Sequence, residues 1–220
     1  MKRIIITGAS DGLGKAFAEI AVKNGVEIVS LSRRNPEFDC VHIKTDLTDE
    51  NSIENACNVI KEKYFDFDAL VNCAGLISLQ EPNKIDYDEL ERTIKVNSIA
   101  PVFLTSKLFD LIKHNEADIL NVGSTVGTKA YASQCAYGAS KWALRGISQN
   151  LQVELAKTKC RVVQFNPGGM NTRFFEKYNG SKLENPNEWM KPNDVAEVMW
   201  FILNMPKQLE VSEITINRKK

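Results

Sequence analysis

No stretch of this sequence approaches 18 consecutive apolar residues, the length at which a membrane-spanning helix becomes the natural reading. A prevailing charge is missing too. Lys plus Arg and Asp plus Glu stand at 28 each, so no global field draws the chain to nucleic acid or to an anionic membrane. The five cysteines (Cys40, Cys57, Cys73, Cys135 and Cys160) are odd in number and never fall in a C-x-x-C spacing. That argues against a disulfide framework and reads as reduced thiols of a cytoplasmic protein. His42 and His114 lack carboxylate or cysteine partners at ligand spacing, so no metal site is expected. The chain opens Met1-Lys2-Arg3-Ile4-Ile5-Ile6 and reaches a glycine turn at once, so no signal peptide is expected. Repeats, low-complexity runs and linkers are also lacking.

What is present suits one soluble domain. The 220 residues are enough for a full core, and 43% hydrophobic with 25% charged residues is ordinary for a globular protein. Strand-like and helix-like segments alternate from end to end, which predicts an α/β fold of the doubly wound type, a parallel sheet covered on both faces. Strands are expected at Lys2–Thr7, Val26–Ser32, Val41–Lys44, Ala69–Asn72, Ile119–Val122, Arg161–Phe165 and Glu213–Ile216. Helices are expected at Gly12–Lys23, over 49–63, from a capping box at Asp86 and Glu89 to about His114, at Tyr137–Lys157 and at Asn193–Asn204. Arg173–Lys191 is the one long unpatterned stretch, and loops of that length in a compact domain are usually functional or mobile.

Chemistry concentrates in two places. Between the first strand and the first helix runs Thr7-Gly8-Ala9-Ser10-Asp11-Gly12-Leu13-Gly14. Glycines there let the backbone approach a pyrophosphate, and the helix N-terminus offers free N–H groups to its charge. Ser10 and Asp11 lie inside the turn, placed to cap the helix or touch phosphate. The second place is Tyr137-Gly138-Ala139-Ser140-Lys141, with Ser124 thirteen residues upstream. Four residues is about one helical turn, so Tyr137 and Lys141 share a face. An ammonium beside a phenol favours the phenolate. Moving a phenol pKa from roughly 10 to about 7 takes about 4 kcal/mol, so a second positive charge, such as an oxidised nicotinamide, is expected nearby.

In this combination the chain resembles the short-chain dehydrogenase/reductase family, in its shorter single-domain branch, from about residue 2 to about residue 217. The spacing of Gly8, Gly12 and Gly14 is the family's G-x-x-x-G-x-G. The resemblance implies that Tyr137 exchanges a proton with a substrate carbonyl oxygen while hydride moves to or from a nicotinamide cofactor. It also implies that Ser124 donates to the same oxygen, and that Lys141 contacts the nicotinamide ribose and lowers the tyrosine pKa. Asp46-Leu47 matches the segment that brackets the adenine. Asn72-Cys73-Ala74-Gly75 matches the family's Asn-Asn-Ala-Gly, with Cys73 a departure that is expected to weaken a tie between strands, since a thiol cannot replace an amide. Pro167-Gly168-Gly169-Met170-Asn171-Thr172 resembles the segment that orients the nicotinamide ring. Asn97 matches the fourth catalytic member.

Two readings rest on the residues directly. Pro101 has no N–H for the Asn97 carbonyl, so that carbonyl should be freed and the helix kinked there, leaving room for a water that relays protons to Lys141. At the end of the second strand an NAD site usually shows a carboxylate, whereas this chain has Ser32-Arg33-Arg34. An arginine there binds a 2′-phosphate, so NADP is the expected cofactor. The expected activity is reduction of a ketone or 3-oxo-type carbonyl, or its reverse, on a small molecule by a homodimer or homotetramer. Phe174, Phe175, Tyr178, Trp189, Tyr131 and Cys135 suit an apolar or aromatic compound. A nucleotide-binding regulator on the same fold needs the glycine turn but has no use for Ser124, Tyr137 and Lys141 together.

Overall fold

The computed structural model describes residues 1–180, 183 and 185–219, and it forms one doubly wound α/β unit. Its strands are β1 (Arg3–Thr7), β2 (Glu27–Ser32), β3 (Val41–Lys44), β4 (Ala69–Asn72), β5 (Asp118–Val122), β6 (Val162–Pro167) and β7 (Glu213–Ile216). They pair in the order β3-β2-β1-β4-β5-β6-β7, every pair parallel. The helices are α1 (Gly12–Lys23), α2 (Glu50–Lys63), α3 (Tyr87–Ile94), α4 (Ala100–His114), α5 (Cys135–Leu155), α6 (Glu176–Asn179) and α7 (Pro192–Leu203). No helix among the described residues is long and apolar enough to cross a membrane.

The isoleucine run of β1 shows why the sheet is sandwiched. Successive side chains of a strand point to opposite faces. Ile4 and Ile6 enter a core with Phe17 of α1 and Met199 of α7, while Ile5 enters another with Ile60 of α2 and Leu104 and Leu108 of α4. A strand covered on both sides reads as a continuous apolar run, as this one does. The strand order reverses between β1 and β4, and a parallel sheet opens its binding crevice at such a point, beyond the carboxyl ends of the strands.

Local differences from expectation have local causes. Asp86 does cap α3, accepting from the Glu89 N–H at 2.8 Å, but the reciprocal half of the box is taken by Gln80. Gln80 accepts from the Asp86 N–H at 3.1 Å and donates to the Glu89 carboxylate at 3.0 Å. The single long helix expected from Asp86 to His114 is broken by a π-turn, Lys95–Ile99, in which the Ala100 N–H reaches five residues back to the Lys95 carbonyl. The disruption expected at Asn97 is thus a one-residue widening of the helix. Pro101 then falls in the first turn of α4, where a missing N–H costs least. The stretch 173–191 is more ordered than its pattern suggested, holding α6 and a 3₁₀ turn at Pro186–Glu188. Its residues Ser181, Lys182 and Glu184 lie outside the described residues.

Candidate active site

The carboxyl ends of the strands surround a cavity of about 470 Å³. Of the residues singled out in the sequence for catalysis or cofactor binding, all but Asn72 and Asn97 line it. At its base Gly8 takes φ +79, and a Cβ there would sit 2.8 Å from the Ala74 backbone. A Cβ at Gly14 would meet the Gly8 carbonyl at 2.3 Å. These two glycines let the turn fold against β4 and start α1 in one step. Asp11 is the N-cap, its carboxylate accepting from the Gly12 N–H at 2.7 Å. A side chain at Gly12 would point toward Thr172, 3.6 Å away, so Thr172 hangs over the turn.

Thr7, which the sequence reading passed over, holds the far wall. Its hydroxyl accepts from the N–H groups of Cys73 and Ala74, both at 3.1 Å. The tie expected to weaken at Cys73 is therefore made by main chain. Burial pushes the Cys73 thiol up to about 12, which keeps it protonated and inert.

Beyond β2 the Ser32 hydroxyl donates to the Arg34 carbonyl at 2.8 Å, shaping the turn that presents two guanidinium groups. They diverge. Arg34 leans to the Asp11 carboxylate at 3.8 Å, which Arg173 of the long loop also approaches, at 3.3 Å. Arg33 acts on Asp46, whose carboxyl is held below its usual range, first by the Thr48 N–H and then by the Thr48 hydroxyl and the charges of Arg33 and Arg92. Arg92 of α3 lines the cavity as well. Nothing in its local sequence marked it, because only the packing of α3 brings it there.

Ser124 lies two residues beyond β5 and Tyr137 sits in the first turn of α5, both buried. Burial raises the Tyr137 phenol, and the nearby Ser124 side chain, which accepts from the Val126 N–H at 3.2 Å, only partly opposes this. The expected lowering by Lys141 is absent. Lys141 lies with Nζ 5.9 Å from the Tyr137 ring centroid, donates to the Val122 carbonyl at 2.9 Å, and is itself pushed down to about 8 by burial. Two buried groups each drift toward neutrality when no counter-charge joins them.

Asn97 is fully buried and fully used. Its Nδ2 donates to the Leu76 carbonyl at 2.8 Å and to the Ser140 hydroxyl at 2.9 Å, and its Oδ1 accepts from the Leu76 N–H at 2.8 Å. The side chain clamps the segment after β4 to α5, between Tyr137 and Lys141.

Beneath the floor runs a line of side chains. Asn72 donates to Asn121 (2.8 Å), Asn121 to Ser148 (2.9 Å), Ser148 to Gln164 (2.6 Å), Gln164 to Asn166 (2.7 Å) and Asn166 to Glu213 (3.0 Å). Arg145 closes it on Glu213 at 2.9 Å. Asn72, Asn121, Gln164 and Glu213 are direct neighbours across β4 to β7. Gly123 covers the line, since a Cβ there would fall 2.1 Å from Gln164 and 2.3 Å from Asn166.

Over the catalytic end, Tyr137, Ile77 and Val126 pack with Phe174, Phe175 and Tyr178. The rings run on, Tyr137 to Phe174 at 6.2 Å, Phe174 to Phe175 at 6.3 Å and Phe175 to Trp189 at 5.9 Å. Tyr131 lines the cavity, whereas Cys135 is exposed and outside it.

Residues 2–182 match the family model described as short chain dehydrogenase. The chain belongs to that family. Among curated relatives, the NADP-dependent 3-hydroxy acid dehydrogenase YdfG of Salmonella typhi is 26% identical, over 96% of this chain and 92% of its own. An uncharacterized oxidoreductase of Staphylococcus aureus (strain N315) is also 26% identical, over 98% and 96%. A serine dehydrogenase solved in its closed form with NADP+ superposes with a TM-score of 0.89 at 25% identity, covering 97% of this chain and 94% of its own. As a member of the short chain dehydrogenase family, the protein is an oxidoreductase acting on small molecules with a nicotinamide cofactor.

Proposed function

We propose that the protein interconverts a ketone or 3-oxo-type carbonyl compound and its alcohol, with NADP(H) as cofactor and Tyr137 as the general acid/base. The observation that carries this reading is that Ser124, Tyr137 and Lys141 line one end of a cavity that begins at the glycine turn. The cavity suits a dinucleotide in more than size. Gly8 and Gly14 leave room for main chain alone, and the α1 N-terminus opens beside them. The pyrophosphate would lie on this turn, the adenosine between Arg33, Asp46 and Leu47, and the nicotinamide near Gly75, Lys141, Pro167, Gly168, Met170 and Thr172. When bound, the cofactor supplies or takes up a hydride.

The residues of the chain supply the rest. Ser124 donates to the substrate oxygen and fixes it against Tyr137, which delivers the proton as the oxygen gains charge. Burial makes Tyr137 an acid held protonated, suited to the reducing direction. Lys141, anchored on Val122, restores the proton, and Asn97 positions this machinery through Leu76 and Ser140. The aromatic wall excludes water and accepts an apolar body. NADP over NAD rests on Arg33, which faces the adenosine end with no acid at Ser32. The free cysteines Cys57 and Cys160 are buried thiols, in keeping with a cytoplasmic site of action. Exposed Ile99, Val102, Trp142 and Val153 on the long central helices give a homodimer or homotetramer an apolar face to use.

The test is oxidation of NADPH and of NADH over a panel of ketones and 3-oxo esters, with wild type and Tyr137→Phe side by side. Turnover with NADPH that disappears in the variant supports the reading. A variant as active as wild type sinks it.

A further inference from the structure

Among the described residues, four buried side-chain polar atoms have no hydrogen-bond partner: Asn72 Oδ1, Ser78 Oγ, Glu89 Oε1 and Gln134 Oε1. Of their residues Gln134 alone lines the cavity. We propose that Gln134 selects the substrate, its Oε1 accepting a hydrogen bond from a hydroxyl carried on the carbon next to the reacting carbonyl. The proposal rests on the carbonyl-reductase reading above and names the class of substrate within it: hydroxy ketones, or vicinal diols in the reverse direction.

The local backbone is built to hold this side chain. Gln134 is the N-cap residue of α5, yet its side chain makes no capping bond. A Ser, Thr, Asp or Asn is the stabilising choice at such a position, so a glutamine there forgoes helix stability. Ser133 before it takes φ +58, a left-handed conformation that a serine adopts at a cost. A bridge to Gln80 pins the main chain of Gln134, and its carbonyl accepts from the Gly138 N–H at 2.6 Å. Strain and a forgone cap at one point, beside the proton donor, mark a side chain kept for a ligand.

Its place is right for the role. Gln134 precedes Tyr137 by three residues at the start of α5, and both side chains line the same cavity. A carbonyl oxygen held by Ser124 and Tyr137 leaves a hydroxyl on the adjacent carbon within reach of the glutamine. The neighbouring groups do not compete for its oxygen. None of them, Tyr131 included, makes a hydrogen bond to Gln134 Oε1, and the Phe174 and Phe175 side chains carry no donor. A ligand without a donor that fills this space leaves Oε1 buried and unpaired.

Two probes separate this from reactivity and size. Hydroxymethyl phenyl ketone and methoxymethyl phenyl ketone withdraw electrons from the carbonyl alike, but only the first has an O–H. The wild-type enzyme with NADPH is expected to favour the hydroxy ketone in kcat/KM by about tenfold or more, the scale of one buried hydrogen bond. In Gln134→Leu that ratio should fall toward one, and in Gln134→Glu, which keeps an acceptor, it should persist. NADPH titration shows that each variant is folded. An unchanged ratio in Gln134→Leu would overturn the assignment, attributing the preference to size alone. A wild-type ratio near one, with turnover of both ketones still lost in Tyr137→Phe, overturns the role of Gln134 and leaves the reductase reading standing. No turnover of either ketone overturns both.

Discussion

Lys141 Nζ donates a 2.9 Å hydrogen bond to the carbonyl of Val122, two residues before Ser124. The bond ties α5 to the end of β5, beside Ser124 and Tyr137. It also keeps a cation in the interior, and that has a measurable cost.

The native pKa of Lys141, about 8, lies below the ordinary 10.5. Between those values the unfolded chain binds more protons than the native one, so stability rises as the pH climbs through this window. Below about 8 the full penalty applies, on the order of 3 kcal/mol. Lys141→Met removes it and gives up the bond to Val122, so the variant should be at least as stable as wild type at neutral pH. Its urea unfolding free energy should also lose the rise between pH 8 and 10.5. A variant that keeps the wild-type slope would show that another group is responsible. Turnover should be lost regardless.

Tyr137→Phe keeps the ring in its place against Phe174 and removes the hydroxyl. Turnover should fall by at least about 10²-fold, the lower scale of general acid catalysis. NADPH should still bind, since the variant leaves the glycine turn untouched. Steady-state rates with fluorescence titration of NADPH separate the two effects, and turnover within a few-fold of wild type would refute the assigned role.

The diverging arginines make different predictions. Arg33→Ala should weaken NADPH binding roughly 10- to 150-fold, the loss of a charge-assisted contact of about 1.5–3 kcal/mol, with NADH little changed. Arg34→Ala should do less, because that side chain leans toward Asp11. Calorimetric titration of both nucleotides into wild type and variants decides it, and equal wild-type affinity for the two would contradict the reading.

Pro101→Ala restores an N–H at the first turn of α4. It should let the ordinary helical ladder compete with the π-turn at Lys95–Ile99 and shift Asn97 relative to Ser140 and Leu76. The expected result is an equal or higher melting temperature with a lower kcat and a changed pH–rate profile. Identical kinetics over a pH series would make the widened turn incidental.

The fold was legible because its signals are local or strictly periodic. The Ile4–Ile6 run and the glycine turn each carry their own physical reason, and β3, β4, β7 and α1 fall at the expected residues. The glycine turn, Ser124, Tyr137 and Lys141 were legible as a set, since order along the chain already places them at the strand ends. Less legible was what depends on distant neighbours. Thr7 looks like any strand residue until Cys73 and Ala74 arrive. Arg92 needs the docking of α3, and Gln134 needs the discovery that nothing answers its oxygen. Spacing reports that Tyr137 and Lys141 are near, while burial, which opposes both charges in the chain alone, is a property of the whole packed site.

The line from Asn72 to Glu213 bears on how the chain finds its own alignment. In a sheet apolar on both faces, sliding one strand along the next keeps oil against oil, so hydrophobicity is a poor judge of offset. Four polar side chains standing abreast on β4, β5, β6 and β7 are a strict one. Any slip would leave amides facing hydrocarbon, at about 1–3 kcal/mol for each group left unpaired. The strand ends that carry Ser124 and Pro167 are thereby brought level, and a misaligned sheet would be penalised before any ligand tested the site.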